Sequence, residues 1–166
     1  MASLLQKAEA AYSFFVKAAN LLRSPLLLLI RLYWGWLFWQ SGFGKLGNIS
    51  KTVDFFTSLG IPAPAFNAHF VALLEAGGGI LLFVGLASRL IALPLAFDMM
   101  VAYLTADREG LGSIFSDPAK FYNADPFTFL LASLIILAFG PGWFSLDNII
   151  KWYRSKRTPP AEAKSQ

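Results

Sequence analysis

Residues 73–89 read Leu-Leu-Glu-Ala-Gly-Gly-Gly-Ile-Leu-Leu-Phe-Val-Gly-Leu-Ala-Ser-Arg, and the fold turns on how they are read. The stretch is apolar enough to lie in lipid, yet Glu75 sits near its middle with three consecutive glycines just after it. A carboxyl group in hydrocarbon is costly, so it must face a partner or a wet cavity. Glycines strip bulk from a helix face and let a second helix come close. The stretch therefore predicts a polar site between the helices of a membrane bundle.

The composition agrees. Of 166 residues, 56% are hydrophobic and only 14% charged, whereas soluble domains run near a quarter charged. The length suits one bundle of a few spans. The net charge of +4 comes from basic residues gathered towards the ends, which reads as membrane topology and not as nucleic-acid binding. There is no cysteine, which excludes disulfides, thiol catalysis, thiolate metal sites and haem attachment through Cys-x-x-Cys-His. His69 is the only histidine. It lies six residues from Glu75, on a different helical face, and reads as polar filler at a helix end; no metal site is expected.

Working outward, the quoted stretch belongs to a span over about residues 65–87, whose polar and small face is Glu75, Gly78, Gly79, Leu82, Leu86 and Arg89. Only Ser88 and Arg89 separate it from the next span, about 90–105, which carries Pro94 and Asp98. Upstream, about 24–44 makes the first span. Arg31, Gly35, Phe38, Gly42 and Lys45 recur at intervals of 4, 3, 4 and 3, so they share one face. Between these spans, Val53, Phe55, Phe56 and Leu59 predict a short amphipathic helix, with Ser50 or Thr52 as cap. A fourth span, about 125–140, is short and ends at Gly140-Pro141-Gly142. Amphipathic interfacial helices are expected at residues 1–23 and 145–157, the latter capped by Ser145-Leu146-Asp147, with a disordered tail at 158–166. The fold class is all-α: a four-helix transmembrane bundle occupying residues 24–144, with interfacial helices at both ends.

With the N-terminus inside, nine Lys and Arg fall on the cytoplasmic side and four outside, namely Lys45, Lys51, Arg108 and Lys120. This places both termini in the cytoplasm and the protein in the inner, or cytoplasmic, membrane. Depth then relates the buried charges. At about 1.5 Å per residue, Arg31 lies roughly 12 Å, Asp98 roughly 13 Å and Glu75 roughly 18 Å from the cytoplasmic ends of their spans. All three are expected in one layer, with one proton shared between Glu75 and Asp98 and Arg31 bridging them. Gly35, Gly42, Gly78, Gly79 and Gly85 are the expected helix contacts, and Lys45 and Arg89 mark the rims. Two readings of the layer stay open: an ion pair that fixes helix register, or a ligand and proton site.

Taken in order, Arg31-x3-Gly35-x2-Phe38-x3-Gly42-x2-Lys45, then Phe56, Gly60 and Pro62, then Glu75-x2-Gly78-Gly79-x2-Leu82-x2-Gly85-Leu86-x2-Arg89, then Gly140-Pro141-Gly142-x2-Ser145-Leu146-Asp147 form a recognisable set. Across roughly residues 24–150 it resembles the DoxX family of small four-span membrane proteins. The resemblance implies association with redox enzymes: the family is named for a subunit associated with a terminal quinol oxidase, and relatives are linked to thiosulfate:quinone oxidoreduction. Members commonly carry an Asn-Gly-Glu-like entry to the last span, where this chain has Asn123-Ala124-Asp125.

Two functions compete. In one, the chain is the membrane subunit or partner of an oxidoreductase. No cofactor is intrinsic to it, and a quinone sits at the Arg31, Glu75 and Asp98 layer with Phe38, Phe97 or Trp34 against its ring. In the other it is a non-catalytic anchor whose basic C-terminal helix recruits a cytoplasmic partner or anionic lipid.

Overall fold

A computed structural model describes residues 2–157. The expected tail at 158–166 lies outside the described residues. The described part is helical: α1 (Ala2–Gly47), α2 (Ile49–Ser58), α3 (Pro64–Val84), α4 (Ser88–Thr105), α5 (Arg108–Gly112), α6 (Pro118–Asn123), α7 (Pro126–Phe139) and α8 (Leu146–Arg157). Among the described residues, α1, α3 and α4 are long and apolar enough to cross a membrane. The fourth bundle helix, α7, has 14 residues. At about 1.5 Å each it spans roughly 21 Å, short of a hydrocarbon core of about 30 Å.

The start of the chain differs from expectation. Residues 1–23 and the first span were expected as separate elements, yet one helix of 46 residues runs through both, with Pro25 inside it. A proline costs one intrahelical hydrogen bond, and the residues before it are rich in good helix formers such as Ala, Leu and Lys. From residue 9 to residue 23 every side chain is exposed. The second helix also starts earlier than expected, at Ile49, so Asn48 and not Ser50 or Thr52 is its N-cap residue.

The most extensive pairing is α1 with α3, followed by α4 with α7. Backbone meets backbone where α1 crosses α3. A Cβ added at Gly35 would stand 2.8 Å from Phe83 N, one at Gly42 2.6 Å from Ala72 O, and one at Gly79 2.6 Å from Gly35 O. No side chain fits such a crossing, which is why small residues repeat along both faces. Between the two helix pairs lies an apolar core of Phe38, Leu82, Ala92, Leu95, Met99 and Ile136. The Phe38 ring meets Phe129 of α7 edge-on, with centroids 4.7 Å apart. Outward, Phe66, Phe70, Leu73, Ile80, Leu93 and Met100 are exposed. An apolar exterior around a core containing charges is the pattern of a protein whose solvent is lipid.

At one end of the bundle, α2 packs on α3, while Tyr103 donates its hydroxyl hydrogen to Phe121 O of α6 at 2.8 Å. At the other end, the α3–α4 turn, the loop 140–145 and the start of α8 come together.

Candidate functional site

Two charged sites are buried in the bundle. The first lies where α1, α3 and α4 meet. Lys45 donates from Nζ to Glu75 Oε2 and, at 2.8 Å, to Ser41 Oγ one turn earlier. Glu75 is 3% exposed and the Lys45 side chain 27%. Asp98 of α4, 9% exposed, faces them, and Glu75 and Lys45 are the charged groups that act on it. Its Oδ2 has no hydrogen-bond partner among the described residues. Two carboxyls and one ammonium carry a net charge of −1 if all are ionised, and none if the carboxyls keep one proton between them.

The second site corrects the expected layer. Arg31, 1% exposed, does not bridge the two acids. Its guanidinium donates from Nε to Leu82 O at 3.0 Å, from Nη1 to Pro141 O at 2.6 Å, and from Nη2 to Phe144 O at 2.9 Å and Phe83 O at 3.5 Å. Leu82 O also accepts the Gly85 N–H at 3.1 Å, so the arginine adds a second donor at the end of α3. The reason for the correction is directional. Side chains lean towards the N-terminus of their helix, so Arg31 reaches away from Glu75. By the same rule Lys45, expected at a rim, leans back into the bundle and supplies the cation that Glu75 needs.

The closing motif assembles around Arg31. Gly85, at φ +74°, ends α3, and a Cβ there would lie 2.6 Å from Arg31 Cζ and 2.7 Å from Ser145 Cβ. It is therefore a helix cap beneath the guanidinium and not a helix–helix contact. Asp147 accepts from Ala87 N–H at 2.7 Å and from Ser88 N–H at 2.9 Å, so a residue of α8 caps the start of α4. Ala87 itself is held in the left-handed region at φ +49°. Ser145 Oγ accepts from Asn148 N–H at 3.2 Å and so caps α8.

Other expected residues fall as follows. Gly78 faces the side chains of Ile91 and Leu95 on α4. Arg89 lies at the Arg31 end, donating to Ala138 O at 3.0 Å. Phe97 is 68% exposed and turned away from the cluster, while Phe38 is spent in the core. His69 Nδ1 pairs with Ala65 O of its own helix at 2.7 Å. Ser41 escaped the sequence reading. Its signal was the i, i+4 spacing to Lys45.

The molecule is thus a small all-α membrane protein, with a lysine–dicarboxyl cluster inside the bundle and an arginine latch at one end. The family model for DoxX matches residues 26–108, which include Arg31 and Lys45 of α1, and the chain belongs to the DoxX family. It is 31% identical over 123 residues to a Bacillus subtilis protein named "Putative oxidoreductase CatD", covering 74% of this chain and 85% of that one. It is 29% identical over 131 residues to "Inner membrane protein YqjF" of Escherichia coli, covering 76% and 94%. No solved structure matches the chain.

Proposed function

We propose that this protein is the membrane partner of an oxidoreductase, and that the Lys45–Glu75–Asp98 cluster is the polar end of a quinone-type site between the helices. One observation carries the reading: a buried acid, Asp98, keeps an oxygen without a hydrogen-bond partner among the described residues, beside a carboxylate that already has its lysine. Intramembrane carboxyls that are not fully matched are the usual means of moving protons in lipid. An almost wholly apolar groove of about 310 Å³, lined by Gly35, Trp36, Trp39, Gly79, Ile80 and Phe83, runs one turn along α3 from Glu75 and suits an isoprenoid chain. With no cysteine and one histidine, the chain has few residues of its own to hold a redox centre. Electrons come from the partner, and the cluster places a proton beside a ring oxygen. The relative named as an oxidoreductase points the same way. Lys17, Arg23, Arg89, Lys151 and Arg154 gather at the Arg31 end. By the positive-inside rule we place that end, and both termini, on the cytoplasmic side of the cell membrane.

The test is quinone binding by the reconstituted full chain, followed as quenching of tryptophan fluorescence by a short-chain quinone. Saturable quenching is expected from the native protein, and a loss of affinity of roughly ten-fold or more from Glu75→Gln and from Asp98→Asn, the effect of one charge-assisted hydrogen bond. Equal binding by all three proteins would remove the site from the cluster, and no saturable binding would remove the quinone.

A further inference from the structure

At the latch end, the exposed part of α1, the α3–α4 turn, the end of α7 and the first three turns of α8 enclose an open cleft of about 1140 Å³. Its basic lining is Lys17 and Arg23 from α1, Arg89 from α4, and Lys151 and Arg154 from α8. One acid, Asp147, faces them, and its two oxygens already accept the N–H groups of Ala87 and Ser88. Among the described residues the cleft therefore carries more basic than acidic side chains, with Asp147 as its carboxylate. Arg23 and Arg89 are held in place, because each donates to a terminal carbonyl of α7: Arg23 to Phe139 O at 2.8 Å, Arg89 to Ala138 O at 3.0 Å. Each guanidinium has five N–H donors, so one such bond leaves others for a ligand.

The remaining lining is apolar and faces lipid. Leu21, Leu90 and Trp143 contribute to it, and all three are largely exposed. Cations above and exposed apolar side chains below match a molecule with an anionic head and hydrocarbon tails. Volume separates the two sources of a phosphate group. Sites for whole drug-sized ligands run to about 300–1,000 Å³, so this cleft is far larger than a free phosphate needs and holds a lipid head with the first part of its acyl chains.

We infer that this cleft is a binding site for an anionic phospholipid, seated by Lys17, Arg23, Arg89 and Lys151. It shares no lining residue with the proposed quinone site. Basic pockets between spans are a recognised means of holding anionic lipid heads. Occupancy ties α1 to α8.

The experiment uses the full chain in a mild uncharged detergent, with thermal unfolding followed after adding phosphatidylglycerol, phosphatidylcholine or inorganic phosphate. Phosphatidylglycerol is expected to raise Tm saturably, and the other two to leave it near its starting value. A Lys17→Gln/Lys151→Gln double variant is expected to need roughly thirty-fold more phosphatidylglycerol for half the effect, the equivalent of two basic residues at an anionic surface. Neither substitution touches the carbonyl bonds of Arg23 and Arg89. A Lys51→Gln/Lys120→Gln variant, with the same loss of charge at the opposite end, should respond like the native protein. The proposal is overturned by an equal Tm rise with phosphatidylcholine, by an equal rise with inorganic phosphate (a small-anion site only), or by equal responses of the two double variants.

Discussion

Arg31 and the Lys45–Glu75–Asp98 cluster are both charged, buried and carried on apolar helices, yet they are built to opposite ends. Arg31 is satisfied by four backbone carbonyls from α3 and the 140–145 loop, none of which can lose or gain a proton. The cluster is made of side chains alone, and one of its oxygens is left over. A charge saturated by main chain is a fastener, because altering it exposes several acceptors at once. A charge matched by titratable neighbours with an oxygen to spare can change state while the fold stays put. The same sequence signal, a charge in an apolar run, thus has two meanings, and the identity of the partner decides between them.

The largest expected effect is at the fastener. Arg31→Leu should strip the carbonyls of Pro141 and Phe144 of their donor and leave Leu82 O with only the Gly85 N–H, costing about 1–3 kcal/mol for each carbonyl stranded. Arg31→Lys should recover little, since one ammonium cannot reach acceptors arranged around a planar fork. Unfolding of both variants in detergent measures this. A stable Arg31→Leu bundle would mean that the latch carries no load and that the comparison has no basis.

A middle-sized effect separates two kinds of glycine contact. Gly42 meets the backbone of Ala72 and Ala76, which cannot move aside, whereas Gly78 meets only the far ends of Ile91 and Leu95. Gly42→Ala should therefore push α1 off α3 and cost about 1–3 kcal/mol, as overpacking does. Gly78→Ala should stay within about 1 kcal/mol of native, because flexible side-chain ends absorb a methyl. If Gly42→Ala also shifts Lys45 away from Glu75, quinone binding should weaken in step with stability. Comparable costs at both positions would refute the close crossing.

Much of this was legible in the sequence, and the failures are instructive. The spans of α3 and α4 could be read from residues 64–105, because hydrocarbon leaves few choices for apolar runs bounded by Pro64 and Thr105. The Glu75 and Asp98 positions could be read too, by depth along their helices. The cation could not be read from depth. Arg31 lies at the nearer level, but the lean of side chains towards helix N-termini sends it to the turn after α3 and sends Lys45 inward. Direction along the helix was in the sequence as soon as the spans were oriented. The carbonyls at Pro141 and Phe144 were not, since main-chain acceptors leave no mark on residue type. The continuity of α1 through Pro25 is not legible for a related reason: a proline inside a helix costs about 3 kcal/mol and is read as a boundary, but a helix of 46 residues has turns on both sides to carry it.

The smallest expected effect on stability is the sharpest for function. Asp98→Asn keeps the shape of the side chain and replaces a carboxyl by an amide that can donate to Glu75 while Lys45 still neutralises it. Because Asp98 Oδ2 has no partner among the described residues, the change strands no acceptor that is now satisfied. Stability should stay within about 1 kcal/mol of native, the net size of one neutral hydrogen bond. What the amide cannot do is hold or release a proton. A folded, native-like Asp98→Asn protein that has lost quinone binding would assign the cluster to chemistry, just as a destabilised Arg31→Leu protein assigns the latch to structure. A variant at Asp98 that unfolds like one at Arg31 would instead make both sites fasteners, and leave the spare oxygen as a cost the bundle bears for its register.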